Sequence, residues 1–288
     1  MSYEKITILF MINPDPIFYG MMDQLIIETF QKLKVNLIIT ELEELSVIIG
    51  NENKYNLMHF QHMDTCLQNI TKITCILILL HILLKKLHFI NLPQRLPRCG
   101  ASFSLNTFKE NLRRFNNKSI IKEVLGYEGT GVKLSINHNQ SMELFCKSMW
   151  NGEQAIIQDF VDDTIGRSIR VLVIGGKAVS VTEFQDNVDF KSNGYSDDFT
   201  IESKMDSDKK CEYFQIAEKA CAAIDPHLTI GGVDILDSMK NGMVVLEINS
   251  WPEMTFSQEA TGLPLLGKFG YEFIEKIIYN NRDRTNST

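Results

Sequence analysis

An Asn-Gly pair at positions 241 and 242 lies between two stretches in which apolar and polar residues alternate, Gly231-Gly-Val-Asp-Ile-Leu-Asp-Ser-Met-Lys and Met243-Val-Val-Leu-Glu-Ile-Asn. Asn-Gly tolerates the positive φ that both central residues of a tight hairpin turn require, and flanking alternation makes it the strongest short-range hairpin signal. With Asn241 and Gly242 as the two turn residues, Asn249 falls opposite Asp234 and Glu247 opposite Leu236. Residues that oppose one another, or stand two apart, share a face of the pleat. Asp234, Glu247 and Asn249 are therefore expected together on one face, with Val233, Ile235, Leu246 and Ile248 on the other. Two carboxylates and an amide oxygen make a hard-oxygen set suited to Mg2+ (or Mn2+), with waters or phosphate oxygens completing the octahedron. The bland alternative is a hairpin with one wetted face, on which the two acids repel unless a cation intervenes.

Other segments offer complementary chemistry. The loop Gly126-Tyr-Glu-Gly129-Thr130-Gly131 leaves backbone amides open to an anion, and Lys122, four residues before it on an apolar strand, can add a fixed positive charge. Glycine-rich hairpin loops without a ligand are common, and this one is neither a Walker A sequence nor a dinucleotide turn. Gln158-Asp159-Phe160-Val161 ends an apolar strand, Arg167 and Arg170 precede Val171-Leu-Val-Ile, and Asp189-Phe-Lys191-Ser192-Asn193 follows another strand. Together they supply the bases and amides that a nucleoside triphosphate with its metal would need.

The first 60 residues alternate strand, helix and strand: Lys5 to Ile12, Met21 to Leu33, Val35 to Thr40 and Tyr55 to Phe60, the manner of a parallel α/β sheet. The apolar stretch from Ile73 to Leu84 is too short for a bilayer span and reads as a buried helix, with a linker at Asn91 to Pro97. Beyond Ile120 the pattern becomes hairpins: Ile120 to Leu125 with Val132 to Ile136, then Ile169 to Ile174 with Ala178 to Phe184 across Gly175-Gly176. Helices are expected over Gln140 to Trp150, Lys209 to Ile224 and Lys268 to Tyr279. The net charge of −7 argues against a nucleic-acid partner, whose phosphates would call for a basic surface. From Thr65 to Lys109, however, six bases (Lys72, Lys85, Lys86, Arg95, Arg98, Lys109) occur with no acid, either a ligand-facing surface or a solvated one. The six cysteines form no CxxC pair and read as free thiols in a reducing cytoplasm, and the start reads as a strand rather than a signal peptide. Neither they nor the His59-x-x-His62 spacing is expected to carry chemistry.

In order and spacing, Lys122, the glycine loop, Gln158 to Val161, Gly166-Arg-Ser168-Ile-Arg170, Asp189 to Asn193, Gly232-Val-Asp234 and Leu246-Glu-Ile-Asn249 resemble the ATP-grasp superfamily, in particular its RimK-like carboxylate–amine ligases of the α-L-glutamate ligase type. The resemblance covers Leu83 to Tyr279. It implies an α/β plus α+β architecture: a short N-terminal α/β domain over residues 1–90, and an ATP-grasp domain over 91–288 whose lobes, 98–160 and 161–280, enclose ATP. It implies that Lys122, Gly126, Gly129, Thr130, Gly131, Gln158, Asp159, Phe160, Ser168, Lys191, Ser192 and Asn193 bind the nucleotide. Asp234, Glu247 and Asn249 would hold Mg2+, and Arg170 would be catalytic, stabilising an acylphosphate or the oxyanion that follows it. The implied reaction joins a small-molecule or peptide carboxylate to an amine, with ADP and phosphate released, in a cytoplasmic enzyme without membrane partner that can form homo-oligomers. The alternatives are an ATP- and Mg2+-binding regulatory module of weak activity, or a ligase of the glutathione-synthetase or D-alanine–D-alanine type. Three departures stand out: Ser168 where the family usually has aspartate, no Asp-Lys pair near Ile76-Leu77, and Glu253 in place of a glycine after Pro252.

Overall fold

The computed structural model describes residues 7–12, 21–34, 36–41, 56–60, 96–102, 104–123, 129–152, 155–191, 199–202, 206–224, 228, 230–249, 252–273 and 275. Three sheets organise them. The first is parallel, order β2-β1-β3, with β1 (Thr7–Ile12), β2 (Asn36–Glu41) and β3 (Asn56–Phe60), and α1 (Met21–Lys32) connects β1 to β2. A parallel neighbour requires such a crossover, which is why strand and helix alternate here. The expected helix over 73–84, the boundary near residue 90 and all but the last two residues of the linker at 91–97 lie outside the described residues.

The second sheet is antiparallel, order β4-β7-β5-β6: β4 (Cys99–Ser102), β5 (Ser119–Glu123), β6 (Val132–Ser135) and β7 (Ala155–Asp159). Two helices cover one face, α2 (Leu105–Leu112) and α3 (His138–Trp150). Phe108 and Phe145 stack at 3.9 Å between centroids over Ile121, Ala155 and Ile157, forming a closed core. Sequence pattern had not marked β4 or α2. Ser104 and Thr107 nevertheless form a capping box at the start of α2. At α3, Asn137 accepts from the Gln140 N–H, so the helix begins at His138, two residues earlier than expected.

The third sheet carries most of the proposed chemistry: order β10-β9-β8-β11-β12, antiparallel throughout, with β8 (Arg167–Ile174), β9 (Lys177–Asp186), β10 (Phe199–Glu202), β11 (Ile230–Ser238) and β12 (Gly242–Asn249). β8 and β9 turn at Gly175 and Gly176, whose φ of 63° and 81° match the expected turn. One face packs on α4 (Ser207–Ile224) through Tyr213, Ile216, Ala217, Ala220 and Cys221 against Val171, Val173, Val233, Ile235 and Val245. The other face buries Leu172, Ile174 and Ile230 beneath Ile27 and Phe30 of α1, Met254, and Leu265, Leu266 and Phe269 of a helical stretch over 265–273. The N-terminal unit is thereby anchored to the third sheet, and the short α5 (Thr255–Thr261) lies on that same face.

The hairpin differs from expectation in register. Ser238 pairs with Gly242, so the turn holds three residues and the ladder next to it slips by three, and an irregularity after Asp234 takes one residue back. Asp234 thus opposes Glu247 directly, and Asn249 opposes Gly232. The net slip from the expected pairing is two residues at Asp234, an even number, so the three polar residues still share one face. Leu246 occupies the bulge, and Val245 instead of Leu246 joins Ile235 in the α4 core.

Candidate functional site

β8 and β11 place Arg170 directly opposite Asp234. The guanidinium grips the carboxylate in a bidentate pair, Nε to Oδ1 and Nη2 to Oδ2, both 2.7 Å, and lies 5.6 Å from the centre of the Phe184 ring. Burial pushes the Asp234 carboxyl upward and Glu247 adds to this, with Arg170 opposing them. Burial works against the Arg170 charge, but Asp234, followed by Glu247 and Glu253, more than offsets that and raises its pKa. Buried charges persist only when paired in this way.

Glu247 meets the second sheet. Lys122, on β5, donates from Nζ to Glu247 Oε2 at 3.2 Å, so a side chain from each sheet meets across the cleft. Burial alone would raise the Glu247 carboxyl; Lys122, by charge and hydrogen bond, and then Arg170 hold it below its ordinary value. Asn249 completes the group, its Nδ2 standing 3.4 Å from Asp234 Oδ2 and 3.5 Å from Glu247 Oε1. Among the described residues no trio of His, Cys, Asp and Glu side chains is placed to hold a metal; the third donor of this set is an amide.

The glycine loop approaches from the same side. Gly129 and Gly131 both have φ of 73°, and a Cβ on Gly131 would come within 2.5 Å of Glu123 Oε2, so that position excludes any side chain. Lys191 reaches the loop, donating to the Gly129 carbonyl at 3.4 Å while pairing with Asp189 at 3.2 Å. Thr130 sits between the two glycines; Gly126, Ser192 and Asn193 lie outside the described residues. Phe160, where the chain passes from the second sheet to the third, meets the Phe190 ring edge-on at 6.3 Å.

At the far end, Gln158 is buried and donates to Cys99 Sγ at 3.0 Å, while Asp159 is held bidentately by Arg98 at 3.1 and 2.9 Å. Arg98 also lies 5.1 Å from the Phe115 ring centre. It was not marked as a site residue; its only signal was membership of the acid-free window. Lys109 of that window is exposed on α2, and the other four bases lie outside the described residues. Ser168 is buried at the start of β8, opposite Phe184. Gly166 makes the connection between β8 and the Asp189 segment: its N–H donates to Phe190 O at 2.9 Å and its carbonyl accepts from Asp186 N at 2.7 Å.

Two antiparallel sheets approach one another, with the glycine loop, the paired bases and the acid–amide set where they meet, an arrangement of the ATP-grasp kind. Solved structures bear out the fold: D-alanine–D-alanine ligase from Bacillus anthracis superposes with a TM-score of 0.63 at 14% identity, covering 97% of this chain and 99% of that one. The ATP-grasp ligase PsnB, complexed with minimal precursor, Mg and ADP, gives 0.59 at 15% identity, covering 96% and 98%. Residues 75–270 match the RimK-like ATP-grasp domain, and the chain belongs to that family. A probable alpha-L-glutamate ligase of Vibrio vulnificus is 28% identical over 192 residues, 66% of this chain and 61% of the relative. The chain thus aligns with about three fifths of the length of that curated relative. No described helix is long and apolar enough to cross a membrane.

Proposed function

We propose that the chain is an ATP-dependent carboxylate–amine ligase that forms an amide bond through an acylphosphate and releases ADP and phosphate. The observation that carries this reading is the meeting of Lys122 from one sheet with Glu247, Asp234, Asn249 and Arg170 of the other within one continuous polar contact network. Family membership and the ligase identities of the relatives support it.

The donor set fits Mg2+: two carboxylates directly opposed across a ladder and an amide adjacent to both, whose oxygen takes the place of its nitrogen on rotation about the Cβ–Cγ bond. Asp234, Glu247 and Asn249 would hold the ion, which, when bound, would offset the charge of the triphosphate. Lys122 and Lys191 are the side-chain cations for phosphoryl oxygens, and the amides of Gly129, Thr130 and Gly131 lie along the same edge. Gln158, Asp159 and Phe160 line the base-proximal end, with Ser168 at the first residues of β8 between the two ends. Arg170, fixed by Asp234, is pre-oriented toward the negative charge that develops on the acyl group, so no side-chain nucleophile is needed.

One observation favours a binding-only reading: each acid already has a cation on it, Arg170 on Asp234 and Lys122 on Glu247. Product analysis separates the two. Purified protein with ATP, Mg2+, amino acids and peptide carboxylates is expected to yield ADP, phosphate and a mass increase of one amide-linked residue. Formation of AMP and pyrophosphate, or ATP binding without turnover across the panel, would reject the ligase.

A further inference from the structure

Residues 252–257, at the start of α5, lie over the third sheet and are pinned there at two points. Pro252 lies on Gly232, so closely that a Cβ on that glycine would stand 2.4 Å from Pro252 Cβ, and Gly232 pairs with Asn249 on one side and Leu172 on the other. Three residues after Met254, Ser257 meets Thr182 through their hydroxyls at 3.2 Å, and Thr182 is the direct strand partner of Arg170. Glu253 lies between these anchors, over the strands that carry Arg170 and Asp234, and its charge acts on the Arg170 guanidinium after those of Asp234 and Glu247.

Its carboxylate is anchored on one side only. Oε1 accepts from the Thr255 N–H at 2.6 Å and from the Thr255 hydroxyl, which fixes the plane of the group. Oε2 accepts no hydrogen bond among the described residues. Capping the first turn of α5 accounts for Oε1 and requires only an amide or hydroxyl oxygen there. It does not account for a full negative charge beside an arginine that Asp234 already satisfies.

An amine substrate arrives in water as an ammonium ion, with hydrogen-bond donors and a positive charge, whereas the activated carboxylate it must meet carries phosphate. The geometry points to Glu253 as the residue that receives the ammonium group of the incoming amine, Oε2 accepting from it while Arg170 faces the anionic partner. The two substrates are thereby told apart by charge within one site: the amine is captured as ammonium, gives up a proton to Oε2 or to solvent, and its freed lone pair attacks the acyl carbon as phosphate leaves, whereas an acylated amine, without the charge, is disfavoured. This inference rests on the ligase reading above.

The test uses Glu253→Gln, which keeps an oxygen for Thr255 and removes the charge. ADP release is followed with the full chain, ATP, Mg2+, an N-acetylated dipeptide pool as carboxylate, and the twenty amino acids singly as amines, with N-acetyl-L-glutamate as an acylated control. For the amine that the wild type uses best, Glu253→Gln is expected to raise KM at least tenfold, with KM for ATP within twofold and the thermal melting curve unchanged. An unchanged amine KM, or equal rises in the amine and ATP constants, overturns the assignment of Glu253 while leaving the ligase intact. Absence of amine-dependent ADP release in the wild type overturns the ligase reading and this one with it.

Discussion

Glu247 stands directly across the ladder from Asp234 and is approached by the Lys122 ammonium at 3.2 Å, so its charge is used on two sides. Glu247→Gln keeps the shape and removes that charge. Turnover is expected to fall at least about 100-fold if, as proposed, this carboxylate holds the metal that offsets transition-state charge. Circular dichroism should show the same fold; a variant that retains wild-type ADP release would remove Glu247 from the metal set. A second expectation concerns backbone. Gly166 has φ of 67°, and a Cβ there would stand 2.0 Å from the Asp186 carbonyl oxygen, so Gly166→Ala must both strain the backbone and displace the segment leading to Lys191. A loss of at least about 2 kcal/mol is expected by denaturant unfolding. Gly152→Ala is the control: φ is 78° but nothing lies within 4 Å of its Cβ, so its cost should be clearly smaller.

The β11–β12 hairpin is held from outside its own ladder. Asp163, in the turn that follows β7, accepts from Ser238 Oγ at 2.9 Å and from the Lys240 N–H at 3.0 Å, while Ser238 Oγ in turn accepts from the Asn241 N–H at 2.9 Å. These bonds tie the passage between sheets two and three to the tip of the hairpin that carries Asp234, Glu247 and Asn249. Slight burial opposes the shift, but the Lys240 amide and Ser238 hold the Asp163 carboxyl below its ordinary value. A depressed folded-state pKa stabilises the fold at pH above the unfolded value, about 4, and this contribution is lost as pH falls through the folded value. Asp163→Asn is therefore expected to lower stability near neutral pH by no more than about 1 kcal/mol, because solvent screens a group so open to water, with the difference from wild type shrinking in acid unfolding experiments below about pH 4. A constant difference across that range would assign the effect to shape instead of charge. The clamp also explains what could be read from sequence. Asn-Gly announced a hairpin, but Ser238 and Asp163 draw the turn to three residues, a tertiary effect that no local pattern contains. Face assignment survived because the slip at Asp234 was even; the bulge that moved Val245 into the core was not legible. α4 was located within two residues of its start, and its buried stripe runs through Tyr213, Ile216, Ala217, Ala220 and Cys221, with the Tyr213 hydroxyl donating to Asp237 at 2.8 Å. β4, only four residues long, offers too short a period to read.

The two larger sheets are joined across their cleft by the same cations that the proposed reaction assigns to phosphate. Lys122, 15% exposed, bonds Glu247, and Lys191, 25% exposed, bonds the Gly129 carbonyl. Neither contact can persist unchanged once a triphosphate lies between the sheets, since each ammonium would turn to a phosphoryl oxygen and each acceptor would take another partner. Substrate entry must therefore exchange one set of charge pairs for another, and the cleft-spanning pair competes with nucleotide. A partly exposed ion pair contributes up to about 1 kcal/mol, which is roughly a fivefold effect on affinity. Without nucleotide, Lys122→Met should loosen the cleft: faster hydrogen exchange in the amides of 129–131 and 242–249, with exchange in the α4 core unchanged. Addition of ATP and Mg2+ to the wild type should protect the loop 129–131 beyond its nucleotide-free level, because phosphate contacts replace a single carbonyl bond. Wild-type exchange that is the same in both states, and the same as in Lys122→Met, would show that Lys122 does not couple the sheets. If instead Lys122→Met opens the cleft and abolishes the ATP-dependent protection of 129–131, one lysine serves in turn as the closure of the empty site and as the ligand of the filled one.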